Sequence, residues 1–188
     1  MTTAHAKDAA DPSFVASLHA GHYYESRTAA WIYATGKYWV TQKPLQVRRN
    51  DQDYRECSDS GDLLVRLIPN TEGGDDEVVE VKWRPRLNFT CAADYPYPDS
   101  ICVCDAHRFD PTDMPLAFFI WNAAGTHFAI IYPDTTAKHW IRKPFYQNGV
   151  RKPDLFMCPL NLVSNWKRDG TPIDTRKDWN CAEDWQTH

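Results

Sequence analysis

The sequence predicts an α/β (α+β) fold in which one long helix is followed by a central β-sheet of five or more strands. Residues 13–34 repeat apolar side chains at helical spacing. From residue 38 onward, short apolar segments rich in β-branched and aromatic residues alternate with turns rich in Gly, Pro and Asp. With 188 residues, 43% of them hydrophobic, the chain can bury the core of a single domain.

The helix is predicted to run from residue 13 to residue 34 and to stop before Gly36, which can adopt the backbone conformation that ends helices. Glu25 lies seven positions before Ile32, so the two side chains share a helix face. The carboxylate of Glu25 is therefore expected on or beside the buried face. An exposed glutamate that pairs with a neighbouring cation is the alternative.

The rest of the chain is predicted to be mostly strands and turns. The predicted strands are 38–47, 63–68, 78–83, 101–104, 116–122, 128–132 and 155–157, with a further short segment near 160–166. Residues 1–12 are small and polar and are predicted to form a disordered tail. Residues 133–188 are richer in Pro, Asn, basic residues and Trp, and are predicted to be an extension packed on the core formed by residues 13–132.

Two of the predicted strands carry charged residues in an arrangement suited to phosphate chemistry. Asp62 directly precedes the strand 63–68, and Glu80 and Lys82 lie within the strand 78–83. Because side chains alternate along a strand, Glu80 and Lys82 point to one face. Magnesium binds one or two protein carboxylates together with waters and phosphate oxygens, so two acids leave positions open for a phosphodiester. The sequence therefore predicts that the two acids and the lysine meet.

The order of these features resembles the PD-(D/E)XK nuclease superfamily. The shared features are a helix with a glutamate, a strand, a Gly61-Asp62-Leu63 strand and an apolar-apolar-Glu80-x-Lys82 strand. Gly61 stands where the motif has proline. The resemblance covers about residues 13–132 and implies a restriction-endonuclease-like core, in which a mixed central sheet is flanked by helices.

The resemblance also implies an activity and a set of site residues. The activity is that of an Mg²⁺- or Mn²⁺-dependent deoxyribonuclease, in repair, recombination, restriction or virus-like replication, with DNA as its substrate. Asp62, Glu80 and the carbonyl of Val81 would hold the metal, Lys82 would be the catalytic lysine, and Glu25 would be an outer ligand or orient a water. Two arginines that follow the lysine, Arg84 and Arg86, are expected to contact the nucleic-acid backbone.

Two other functions remain open at this point. One is a noncatalytic module that keeps the fold and binds protein or nucleic acid. The other is a zinc-stabilised domain that uses Cys102, Cys104 and His107, although this cluster lacks the CxxC spacing typical of zinc sites. The cysteines are predicted to be mainly free thiols, with both side chains of Cys102 and Cys104 on one face of a strand.

Net charge and hydropathy indicate which binding partners, nucleic acid or membrane, the protein is expected to have. The formal net charge of −4 argues against a protein that coats nucleic acid nonspecifically. Basic residues are nevertheless grouped locally, and one group comprises Arg142, Lys143, Arg151 and Lys152. No run of about 18 apolar residues and no signal-peptide pattern is present, so a cytoplasmic protein without membrane contact is expected.

Overall fold

A computed structural model describes residues 12–42, 62–68, 76–147, 149–163 and 165–169, without the side chains of residues 12–15, 17 and 18. The chain divides into two compact units, one formed by Met1–Asp76 with Thr171–His188 and the other by Glu77–Gly170. The predicted disordered tail, the end of the predicted strand 38–47, the turn before residue 76 and the end of the predicted extension lie outside the described residues.

The first unit contains helix α1 (Pro12–Ala34) and strands β1 (Tyr38–Gln42) and β2 (Leu63–Leu67). The helix ends as predicted, because Gly36 has a φ of 69° and its N–H donates to the carbonyl of Tyr33 at 2.9 Å. Strands β1 and β2 pair antiparallel, with Val40 opposite Val65. Both valines are buried, so the inward face of the strand pair is apolar.

Four strands of the second unit lie side by side in a mixed sheet, in the order β3 (Glu77–Trp83), β5 (Ala117–Trp121), β6 (His127–Ile131) and β9 (Asn165–Arg168). Strand β3 runs parallel to β5, whereas β5, β6 and β9 pair antiparallel. All five residues of β5 are buried, which explains why its sequence is a continuous apolar run and does not alternate with polar residues.

A second sheet in the same unit has three antiparallel strands in the order β4 (Ser100–Asp105), β8 (Val150–Pro159) and β7 (Ile141–Gln147). Side chains from the two sheets form one buried cluster. It includes Ile101 and Val103 of β4 and Phe118 and Ile120 of β5. Burial of these apolar side chains is the main favourable contribution to the stability of the unit.

The prediction of an α+β fold with a mixed sheet is confirmed in that form. The predicted strands 63–68, 78–83, 101–104, 116–122 and 128–132 agree with β2–β6 to within one or two residues at each end. Among the described residues, α1 and the four-residue α2 (Pro133–Thr136) are the only α-helices, and no helix there is long and apolar enough to cross a membrane. The restriction-endonuclease-like core stays a prediction.

Two strands differ from the prediction. Strand β7 was not predicted, and β8 has ten residues where the sequence indicated only 155–157. Residues 141–153, which include β7 and the start of β8, are exposed, with position 148 not described. Their sequence therefore lacks the alternation of apolar and polar residues that indicates a strand with one buried face. Residues 133–169 of the predicted extension therefore supply β7, β8 and β9 to the second unit.

The turn between β5 and β6 depends on Asn122, which is 2% exposed. Its side-chain amide donates to the carbonyl of Phe89 at 2.9 Å, and its side-chain oxygen accepts from the N–H groups of Thr126 at 2.9 Å and His127 at 3.3 Å. One side chain thus satisfies polar groups of three backbone positions. Gly125, at the tip of this turn, has a φ of 64°.

We expect Asn122→Ala to lower the free energy of unfolding by about 1–3 kcal/mol, because alanine removes the partner of the buried Phe89 carbonyl and of two partly buried N–H groups. Asn161→Ala is the matched control, since Asn161 is exposed, and its effect should stay within about 0.5 kcal/mol. Urea unfolding followed by circular dichroism measures both. Equal effects of the two substitutions would show that the Asn122 side chain does not hold the turn.

Candidate functional site

Glu80 and Lys82 form an ion pair on β3. The Lys82 Nζ donates to Glu80 Oε2 at 2.5 Å, and the side chains are 32% and 19% exposed for Lys82 and Glu80, respectively. The prediction that both point to one face is therefore confirmed. Their partners in β5 are Phe118 and Ile120, which belong to the buried cluster between the two sheets. The pair thus extends an apolar sheet face with one anion and one cation.

The next cation along the chain, Arg84, joins the end of β3 to β4. Its Nη2 donates to the carbonyls of Cys102 at 3.2 Å and Val103 at 3.3 Å. The same nitrogen lies 3.5 Å from the Cys102 thiol sulfur. The guanidinium, which the resemblance assigned to nucleic-acid contact, is held half-buried against the protein backbone. Its contribution to the arrangement of the two strands could not be read from local sequence.

The thiols of β4 lie close to these charges. The pKa of Cys104 is raised to about 12, mainly because burial disfavours the thiolate, while Lys82 lowers it and Glu80 raises it. Burial also raises the pKa of Cys102, and the positive charge of Arg84 partly offsets this increase. Both groups are therefore neutral thiols near pH 7. Zinc binds thiolate sulfur, so a zinc ion at these positions would have to displace a proton from each thiol.

The zinc alternative gains no support from the described residues. No group of three or more His, Cys, Asp or Glu side chains in this part of the chain is arranged to hold a metal ion. The pairing register of β4 with β8 also shifts between Cys102 and Cys104. Burial still alternates along this stretch, because Cys102 and Cys104 are partly buried and Val103 between them is fully buried.

Glu25 lies in a polar network within the first unit. Its Oε2 is 2.9 Å from His22 Nδ1 and accepts from Gln42 Nε2 at 3.4 Å. Gln42, at the end of β1, is 8% exposed, and its side-chain oxygen accepts from the Ser26 hydroxyl at 2.8 Å. The Glu25 side chain is 18% exposed, which confirms that the carboxylate lies beside the buried face of the helix. His22 and Gln42 were not singled out from the sequence.

The remaining predicted site residues are placed as follows. Asp62 is half-buried and immediately precedes β2 in the first unit. Val81 is buried in the middle of β3, opposite Phe119, and Arg86 is exposed in the segment after β3. The structure thus brings together Glu80 and Lys82 within the second unit, and Cys104 lies close enough for both charges to act on its pKa.

These side chains could bind a divalent cation only if most of its ligands were water or substrate oxygens. Magnesium commonly takes one or two carboxylates and completes its shell with waters and substrate oxygens. Glu80 supplies one half-buried carboxylate, whose oxygens are the kind of ligand that magnesium prefers. The pairing of that carboxylate with Asp62 on one cation stays a prediction.

No protein-family model matches the chain, and neither a curated protein nor a solved structure matches it.

Proposed function

We propose that the chain is a metal-dependent nuclease that hydrolyses phosphodiester bonds in DNA, with Mg²⁺ or Mn²⁺ as its cofactor. The observation that carries the proposal is the Glu80–Lys82 pair, in which a carboxylate and an ammonium lie 2.5 Å apart on one face of a sheet strand and are only partly exposed. A partly exposed ion pair beside an apolar face gains little stability, because desolvation offsets its attraction. A chemical role accounts better for its position.

The chemistry assigns separate tasks to the two side chains. Glu80, with Asp62 as the second carboxylate, would hold the cation; a bound cation supplies a nucleophilic water and neutralises charge on the phosphate oxygens. Lys82 would donate a hydrogen bond to the attacking water or to a nonbridging phosphate oxygen. A compact ammonium with three rotatable donors suits this role. Glu25, held by His22 and Gln42, would orient a water as an outer group.

A second function is a noncatalytic module that binds nucleic acid or protein. It is favoured by the direct ion pair, which occupies Lys82 with Glu80. In such a module the pair would only contribute to the local structure of β3.

Glu80→Gln separates the two functions. The amide keeps the size of the side chain but removes the charge that binds a cation, so we expect DNA cleavage with Mn²⁺ to fall by at least 10²-fold, on the order seen when a single charge-stabilising group is lost. Glu77→Gln is the matched control on the same strand, because Glu77 is exposed. Supercoiled plasmid and labelled single-stranded, double-stranded and branched oligonucleotides measure cleavage. A wild-type protein that cleaves none of these substrates would contradict the nuclease.

A further inference from the structure

The hairpin of β7 and β8 forms a free-standing, positively charged ribbon. Strand β4 pairs with β8 only from Leu155 to Pro159, so Val150–Lys152 of β8 pair with β7 alone. The seven residues of β7 and the first four of β8 are all exposed. We call residues 141–153 the basic hairpin, because they contain four Lys or Arg residues and no Asp or Glu.

The cations and aromatic residues of the basic hairpin are paired across its two strands. Tyr146 is opposite Arg151, whose guanidinium lies 5.5 Å from the centre of the tyrosine ring. Phe145 is opposite Lys152. Cross-strand partners share a face and adjacent residues point to opposite faces. These two pairs therefore place one aromatic ring and one cation on each face of the ribbon.

The two arginines are held in place by one acid at the base of the hairpin. Arg142 Nε donates to Asp154 Oδ2 at 2.8 Å, and Arg151 Nη2 donates to Asp154 Oδ1. Desolvation raises the pKa of Asp154, but the hydrogen bonds from Arg142 and Arg151 outweigh it and hold the pKa below its usual value. Asp154 thus stays ionised and orients two guanidinium groups whose side chains remain 65% and 54% exposed.

Protection of a sheet edge does not account for this composition. Charged residues on an edge strand discourage pairing with other chains, and β7 is the edge of its sheet. The cations, however, lie on both strands, and Tyr146 and Val150 beside them are 59% and 58% exposed. Edge protection gives no reason to expose large apolar surface next to the charges.

We infer that the basic hairpin is a docking surface for duplex DNA, with its two strands in the major groove and its cations against the flanking phosphates. A two-stranded ribbon fits the major groove, which is about 12 Å wide, whereas the major groove of duplex RNA is deep and narrow. Seven residues of strand extend about 24 Å, enough to follow the groove across several base pairs. This surface lies outside the residues assigned to cleavage, and the inference does not depend on the proposed function.

The test measures binding of a fluorescent 20-base-pair DNA duplex in EDTA, which prevents metal-dependent cleavage. The double variant Lys143→Gln with Lys152→Gln removes two exposed cations and leaves both ion pairs of Asp154 intact. At 50 mM salt we expect its affinity to be roughly 100-fold weaker, and the slope of log K against log[salt] to become shallower by about 2. Circular dichroism should show unchanged folding.

The matched control removes two exposed lysines elsewhere, Lys37→Gln with Lys167→Gln, and so makes the same change in net charge. We expect its affinity to change less than about threefold. Equal losses in the two double variants would overturn the inference, because they would reflect net charge alone. Tighter binding of single strands than of duplex, or binding of anionic lipid vesicles without binding of DNA, would also overturn it. A failure of cleavage with intact duplex binding would affect the proposed function only.

Discussion

Replacing Lys82 by alanine should lower the rate of DNA hydrolysis by about 10²–10³-fold, equivalent to about 2.7–4 kcal/mol of transition-state stabilisation. The ammonium is proposed to interact with charge that develops as water attacks phosphorus, and alanine cannot replace that donor. The effect should appear in kcat more than in KM, because the interaction strengthens in the transition state. Lys82→Arg should recover only part of the rate, since its planar guanidinium presents fixed donors.

The structure predicts that this loss is not caused by unfolding. The Lys82–Glu80 pair is partly exposed, so its removal should change the free energy of unfolding by no more than about 1 kcal/mol. Lys167→Ala is the control, because Lys167 is an exposed strand lysine on β9. Single-turnover cleavage and urea unfolding of the same preparations give both quantities. A Lys82→Ala protein that is folded and cleaves at the normal rate would remove this lysine from the mechanism.

Replacing Trp121 by alanine should lower the free energy of unfolding by about 3–5 kcal/mol. Trp121 is fully buried in β5, and the centre of its ring lies 4.6 Å from that of Phe128. Alanine removes both the buried apolar surface and this ring contact and leaves a cavity. Because typical proteins are stable by only about 5–15 kcal/mol, a large unfolded fraction is expected near 37 °C.

Trp39→Ala is the matched control for this substitution. Trp39 lies in β1 and is 44% exposed, with its ring 6.4 Å from that of Tyr33. We expect a cost of about 1 kcal/mol or less, because a partly exposed ring loses less buried surface. Far-UV circular dichroism during urea unfolding avoids the change in tryptophan fluorescence. A cost for Trp121→Ala no larger than that for Trp39→Ala would contradict the burial of this face of the sheet.

Local sequence patterns were sufficient for the elements with a buried face. The helix predicted from residue 13 to 34 is observed from Pro12 to Ala34, because apolar spacing and the glycine stop act within a few residues. The shared face of Glu80 and Lys82 follows from strand alternation alone. By contrast, β7 has both faces exposed and contains Pro144, so its strand structure depends on pairing with β8. Its sequence therefore shows no alternation of apolar and polar residues from which a strand could be predicted.

Contacts between distant parts of the chain could not be predicted in the same way. Arg84 donates to the carbonyl groups of residues 18 and 19 positions away. Gln42 reaches the carboxylate of Glu25 from 17 positions away. No sequence period specifies such partners, because they depend on how whole elements pack. The sequence therefore predicts which residue types can do chemistry on a strand, whereas their neighbours come from the tertiary structure.

The parallel pairing of β3 with β5 has a consequence for how the protein folds. The two strands are separated in the chain by 33 residues, from Arg84 to Leu116. Closing such a long loop costs conformational entropy before any hydrogen bond between the two strands can form. Strand β4, within that loop, finds its own partner only in β8, about 50 residues further on. On the ribosome, β4 therefore emerges well before its partner, and folding of this unit should be slow and should benefit from chaperones.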